Sequence, residues 1–404
     1  MPTVYYNSAA AGANDGTSEA DAFTNLQTAL NSLSAGDHLY CKRAASREGV
    51  KTTNLTFTTS PTNTGDPTII EGYETTPGDG GMYQTASPVF FTGEHIILAY
   101  FDVDKDDDST HAISLGGDGS VAYRCKATST YGFGNSFELT DSVAIECSSY
   151  AVCGNAGDGC FEGSRFQLIN CYAEITDGDD GAAVSFNSGF RPHSLIDCLF
   201  VNSGPGLNND GVRIQGSTNS SGVFILNCTF YNFGGNGIID TDGVGNAITQ
   251  PSIYYGNLFY NCGNGIVNAQ GVNVNTLAMY AASNAFGSIT SNQVSNISSN
   301  FDPITLTASP FEDTTDFQIN DTSGGGASIR GLRGVPDVKD FESDVRVEFG
   351  THGGVIPNPN IVFQTFDEGS LFLGTGDVGD TVTVSGRSFQ KVDDDPIVWR
   401  RTTV

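Results

Sequence analysis

"FILNCTFYNFGGNGI", residues 224–238, alternates apolar and polar residues and then breaks into glycines. Text of the same form stands on both sides, "SLIDCLFVNSGPGLNNDGVRI" (194–214) before it and "YYGNLFYNCGNGIV" (254–267) after it. Aligned on the cysteine, Cys125, Cys147, Cys171, Cys198 and Cys228 share one register and Asn257 takes the sixth place, at intervals of 22, 24, 27, 30 and 29 residues. Each context, from "AYRCKA" to "YYGNLF", is a short strand of period two. Most lead through glycines to a second strand such as "AAVSF", "VRI" or "IID". A period of this size with no helical pattern inside it marks a solenoid. Stacked coils place equivalent residues ~4.8 Å apart, so the expected fold is an all-β parallel β-helix whose cysteines form a buried ladder.

A second column follows the first. Most turns end in an Asx-Gly pair: Asp158-Gly159, Asp180-Gly181, Asp210-Gly211, Asn236-Gly237 and Asn264-Gly265. Asx side chains bond nearby backbone groups and glycine accepts positive φ, so turn chemistry is the first reading of these pairs.

Composition bounds the partners. The 404 residues carry 18 Lys and Arg against 46 Asp and Glu, a formal net charge of −28, which disfavours nucleic acid and anionic membranes. Glycine, at 50 residues, favours turns and short strands. No apolar run is long enough to span a bilayer, and "MPTVYYNSAAAGAND" lacks the basic and apolar regions of a secretory signal. The nine cysteines are odd in number and sit mostly in strand contexts, which reads as thiols made in a reducing cytosol rather than a disulfide framework.

Residues 20–34, "ADAFTNLQTALNSLS", place Phe23, Leu26, Leu30 and Leu33 on one helical face with Gly36 just beyond. Such a helix would cap the open end of the first coil. The stretch "YYNSAAAGANDGTSEADAFTNLQTALNSLSAGDHLYCKR" resembles the opening of the pectate-lyase-like, right-handed parallel β-helix superfamily. Residues 302–331, "DPITLTASPFEDTTDFQINDTSGGGASIRG", resemble its closing coil. The resemblance spans roughly residues 3–355. It implies an N-terminal strand and capping helix over 1–40 and a β-helix over 41–355. Beyond it, 356–404 holds short strands ("NIVFQ", "SLFLG", "DTVTVS", "SFQKV", "IVWRR") and Trp399, and reads as a small antiparallel β module. A module so small usually needs a partner surface, so a docking or oligomerising role is expected of it.

The superfamily holds lyases, glycosidases, epimerases, tailspikes and inert virion proteins, so it implies no single activity. The best catalytic constellation is Asp158, Asp180 and Asp210 on successive rungs, with Arg213 on the outward parity of "GVRI" between inward Val212 and Ile214. "DGDDGAAVS" (177–185) and "NNDGVRIQ" (208–215) resemble polygalacturonase motifs, but in reversed chain order and with no "GHG" after them. A structural Asx column accounts for the same residues. "DVDKDDDST" (102–110) offers Asp102, Asp104 and Asp106 to Ca²⁺, yet lacks the glycine and glutamate of an EF-hand, and a solvated loop explains it too. Cys153 and Cys160 have no further ligands at zinc spacing. Tyr5, Tyr6, Tyr73, Tyr83, Tyr131 and Tyr150 could stack on sugars, though scattered aromatics are more often packing.

A β-helix starting near Met1, free thiols and no secretion signal together suggest a phage virion surface protein: a capsid decoration, fibre or tailspike, structural and suited to adhere to carbohydrate. It would be made in the host cytoplasm, with a homo-oligomer (a trimer as one arrangement), other virion proteins and a glycan as partners, and neither nucleic acid nor membrane. The alternative is a secreted polysaccharide lyase or glycoside hydrolase acting on acidic or cell-surface glycans.

Overall fold

The computed structural model describes residues 2–50, 52–59, 67–105, 111–130, 135–153, 159–187, 193–205, 208–215, 223–241, 252–269, 279–297, 299–314 and 317–329, and three strands between 381 and 402. Three parallel ladders run along the stack. Ladder one includes Thr3–Tyr6, His38–Lys42, Thr68–Tyr73, Gln167–Ile169, His193–Ile196, Val223–Leu226 and Ser252–Tyr255. Ladder two includes Leu55–Phe57, Val89–Phe91, Gly159–Ser164, Ala182–Phe186, Asp210–Ile214, Asn236–Asp240 and Asn264–Asn268. Ile113–Tyr123 and Phe137–Ile145 are long enough to serve both ladders. Ladder three is a ten-stranded sheet from Tyr83–Thr85 to Ile304–Leu306. Every pairing within the three ladders is parallel. The expected parallel β-helix is therefore what forms.

The cysteine column sits at the corner from ladder one to ladder three. Before each cysteine stands a residue in the left-handed region: Arg124, Glu146, Asn170, Asp197 and Asn227, with φ between 50° and 55°. That residue turns the chain and points the next side chain into the coil. All five cysteines are buried and free. Each thiol lies within reach of a carbonyl, as Cys171 Sγ does of Ala144 O at 3.3 Å, and Cys125 N–H donates to Cys147 Sγ at 3.4 Å. Asparagine does the same work with stronger partners. Cys228 N–H donates to Asn257 Oδ1 and Asn257 N–H to Asn284 Oδ1, both at 2.9 Å, while Asn257 Nδ2 donates to Ile225 O at 2.9 Å. Asn257 thus takes the sixth place as expected, and Asn284 extends the column by one more coil.

The Asx-Gly column requires correction. Asp210 and Asn236 are opposite one another in ladder two and Asn236 pairs with Asn264, but Asp210 pairs with Ala182, so Asp180 falls two residues out of register. Gly159 also pairs with Ala182, and Asp158 lies outside the described residues. Gly211, Gly237 and Gly265 are strand residues without positive φ. Glycine is needed there for space. A Cβ on Gly237 would stand 2.3 Å from Phe259 Cδ1, and one on Gly265 2.5 Å from Phe286 Cε1. Phe200, Phe230, Phe259 and Phe286 form the interior stack responsible, with centroids 5.2, 4.8 and 5.2 Å apart.

The N-terminal helix is Leu26–Ser32, shorter than the pattern predicts, because Asn25 caps it by accepting from Thr28 N–H. Phe23 bridges to Tyr6 as strand instead. Leu26, Ala29, Leu30 and Leu33 join the same core as Leu39 and Leu55 of the first coils. At the other end, Phe311, Phe317 and Ile319 lie on the outer face of ladder three, against Leu258, Tyr231 and Tyr260. Thr381–Val384, Arg387–Asp394 and Ile397–Thr402 make an antiparallel sheet in chain order, which matches the last three of the five strands expected there. "NIVFQ" and "SLFLG" lie outside the described residues.

Candidate functional site

Asp210 opens its strand in ladder two and is buried. Its Oδ2 accepts from Arg213 Nε at 2.9 Å and Nη2 at 2.7 Å; its Oδ1 accepts from Asn236 N–H and Nδ2, both at 2.8 Å. Burial pushes this carboxyl up from its ordinary value, against the pull of the Arg213 guanidinium. Arg213 keeps the expected parity, between inward Val212 and Ile214, and its Nη1 donates to Asp180 O at 2.8 Å. Asp180 is exposed, with φ 72°, and supplies a carbonyl to this group rather than a carboxylate. Of the constellation read from the sequence, Asp210 and Arg213 thus form a buried ion pair with both Asp210 oxygens committed. Such an arrangement holds coils together.

The acidic run differs from a calcium loop in the same way. Asp102 and Asp104 lie on strand Phe101–Lys105, where Arg47 Nη2 bonds Asp102 Oδ2 at 2.8 Å and Arg47 Nε lies 3.8 Å from Asp104 Oδ2. A guanidinium stands where a cation would, so these two carboxylates do not fit Ca²⁺; Asp106 lies outside the described residues. Among the described residues no group of three His, Cys, Asp or Glu is arranged to hold a metal. Cys153 and Cys160 are free and buried. Tyr6, Tyr73 and Tyr83 are buried as well, and belong to packing rather than to a sugar surface; Tyr131 lies outside the described residues.

A different cluster gathers on the outer face of ladder two. Register places Ser114 opposite Glu138 and Glu138 opposite Glu162, all pointing away from a core lined by Ile113, Phe137 and Phe161. His111, just before the first of these strands, reaches between the two glutamates. Its Nδ1 lies 3.1 Å from Glu138 Oε2 and its Nε2 3.3 Å from Glu162 Oε1. Ser114 Oγ donates to Glu138 Oε2 at 2.6 Å, and Asn135 Nδ2 lies 3.3 Å from the His111 Nε2 edge. Asn135 is itself fixed by Gly159 N–H. Burial alone would lower the His111 pKa, but hydrogen bonds and charge from Glu138 and Glu162 outweigh it and raise the value to about 9. The His111 hydrogen bond holds Glu138 down to about 2, with Ser114 adding to it against burial. The result is an imidazolium clamped by two carboxylates from adjacent coils, partly open to water. The sequence carries a trace of it: "FE" recurs at 137–138 and 161–162, the same 24-residue interval as Cys147 to Cys171. His111 itself, set between an acidic run and a strand, gave no such signal.

No family model matches the chain, and no curated protein does. Solved structures do. The pectate lyase Pel9A aligns over 80% of this chain and 90% of its own, with a TM-score of 0.57 at 16% identity. The chain folds as a pectate-lyase-like parallel β-helix. A mannuronic-acid-specific family 6 polysaccharide lyase from human gut microbiota aligns over 70% of this chain and 65% of its own, at 12% identity and a TM-score of 0.42. ORF18 of Geobacillus virus E2 aligns over 76% and 62%, at 13% identity and a TM-score of 0.41. At such identities the likeness is one of fold, and the activity must come from this chain's own residues.

Proposed function

We propose that this pectate-lyase-like β-helix is a carbohydrate-binding surface protein of a virus particle, structural rather than catalytic through its aspartates. One observation carries the reading: both oxygens of Asp210 are spent on Arg213 and Asn236, so the carboxylate best placed for hydrolysis is part of the scaffold. Nine free, buried thiols support assembly in a reducing cytosol, where virion proteins are made. The net charge of −28 supports a partner other than nucleic acid. The antiparallel sheet near the C-terminus would serve oligomerisation or docking to other virion proteins. The test is peptide mass spectrometry of purified particles, together with incubation of the chain on host-surface polysaccharide. Presence in particles with no release of reducing or unsaturated ends is expected; release of such ends overturns the structural reading.

A polysaccharide-cleaving enzyme is the second reading, and the clamp of His111 by Glu138 and Glu162 favours it, since two carboxylates one coil apart suit acid–base chemistry at a glycosidic bond. Loss of any observed cleavage in a His111→Gln variant would establish it.

A further inference from the structure

The three outer faces of the stack differ. On ladder one the outward Ala99, Val121, Tyr123, Val143 and Ile145 form an apolar cluster. On ladder three Leu199, Val201 and Leu258 face outward and are covered by Phe311, Phe317 and Ile319. Over the same coils the outward row of ladder two is polar, Ser114, Glu138, Glu162, Ser185 and Arg213, with Ser114, Ser185 and Arg213 buried and the two glutamates partly exposed. Glu138 and Glu162 keep 38% and 14% of their side-chain surface in water, and His111 keeps 20%. Each glutamate uses one oxygen on His111. Glu138 Oε1 and Glu162 Oε2 take no hydrogen bond among the described residues, and lie on neighbouring rungs.

Charge decides what can approach. Two carboxylates and one imidazolium leave a net negative charge, within a chain of net charge −28. Among the described residues the nearby guanidiniums are engaged elsewhere, Arg165 by Asp141 and Arg213 by Asp210. Arg213 is also two strand spacings, ~10 Å, along the row. Both His111 nitrogens are turned to the glutamates, so among the described residues the cluster offers acceptors and no free cationic donor. Acceptor oxygens on adjacent rungs match the hydroxyl or amino hydrogens of a sugar ring through charge-assisted hydrogen bonds, and repel a carboxylate.

We propose that the outer face of ladder two at His111, Glu138 and Glu162 is a subsite for glycans with uncharged or amino-bearing rings, and that it excludes uronates. The proposal rests on the carbohydrate-binding reading and sets its substrate class apart from that of the pectate and mannuronate lyases that share the fold. The test is the full chain on an array of neutral, amino-sugar and uronate oligosaccharides, followed by calorimetry of Glu162→Gln and His111→Gln against the strongest-binding oligosaccharide. Binding confined to neutral or amino-sugar spots is expected, weakened roughly tenfold by Glu162→Gln, the loss of one charge-assisted hydrogen bond. Circular dichroism confirms that both variants fold; if one does not, the other carries the comparison. Preference for uronates overturns the subsite while leaving carbohydrate binding intact, as does neutral or amino-sugar binding that neither variant weakens. No retention of any glycan overturns the carbohydrate reading itself.

Discussion

Replacing Gly237 by alanine tests the interior more sharply than a truncation would. The added Cβ would lie 2.3 Å from Phe259 Cδ1, 2.6 Å from Cε1 and 2.9 Å from Gly265 O. The ring must retreat by about an ångström to restore an ordinary contact, and it has nowhere to go. Phe230 stacks on one side at 4.8 Å and Phe286 on the other at 5.2 Å, both within 8° of parallel. Overpacking of this kind costs about 1–3 kcal/mol, and a fixed ring belongs at the upper end. Loss of the glycine's freedom in the unfolded chain offsets about 0.4–1 kcal/mol. The net is about 2 kcal/mol, or, at about 2.1 cal/mol/K of unfolding entropy per residue, a fall in Tm of about 2–3 °C for a chain of this size. Gly116→Ala is the control, because its Cβ would meet nothing within 4 Å and its φ is not positive, so its Tm should hold or rise slightly. In a Phe259→Leu background the Gly237→Ala penalty should shrink, as expected for coupled neighbours, to what the Gly265 carbonyl at 2.9 Å imposes. Equal melting of Gly237→Ala and the parent, or simple additivity with Phe259→Leu, would refute the stacking argument.

Further outcomes follow from the charged groups. Asp210→Asn removes the counter-charge of buried Arg213 and should cost about 3–5 kcal/mol, seen as a Tm drop that Asn236→Ala does not match; an unchanged Tm would show the pair to be dispensable. The His111 cluster should stabilise most between pH 4.5 and 6.5. The raised His111 value gives a contribution complete below 6.5 and lost as pH rises through about 9, and the lowered Glu138 value gives one present above 4.5 and lost as pH falls through about 2. The loss of Tm from pH 6.5 to 9 should therefore be smaller in His111→Gln than in the parent, and parallel curves would contradict the clamp. Calcium should leave the Tm unchanged relative to chelator, because Arg47 already holds Asp102; a rise with calcium would show that a site forms regardless.

The fold was legible because a coil repeats its own side-chain parity. Cys171, Cys198 and Cys228 recur at nearly constant intervals, and inward parity follows from period two. What sits over a residue from the next coil is harder to read, since it depends on register between coils of unequal length. That is why Gly211, Gly237 and Gly265 look like turn glycines in sequence but are strand glycines under a phenylalanine stack. The same ambiguity put Asp180 beside Asp210, when the pairing of Ala182 with Asp210 moves it two residues away. Glu138 and Glu162 were hidden for the opposite reason. Each is one outward polar residue in an ordinary strand, and only their stacking beside His111 makes a site.

The most direct measurement is a count of reactive thiols by intact mass, in the native protein and after unfolding without reductant. An inward column of free cysteines predicts no rapid alkylation of the native protein and nine alkylations once it is unfolded. Rapid native labelling of Cys125, Cys147, Cys171, Cys198 and Cys228 would contradict the coil register, and fewer than nine after unfolding would reveal a disulfide and contradict the reduced interior.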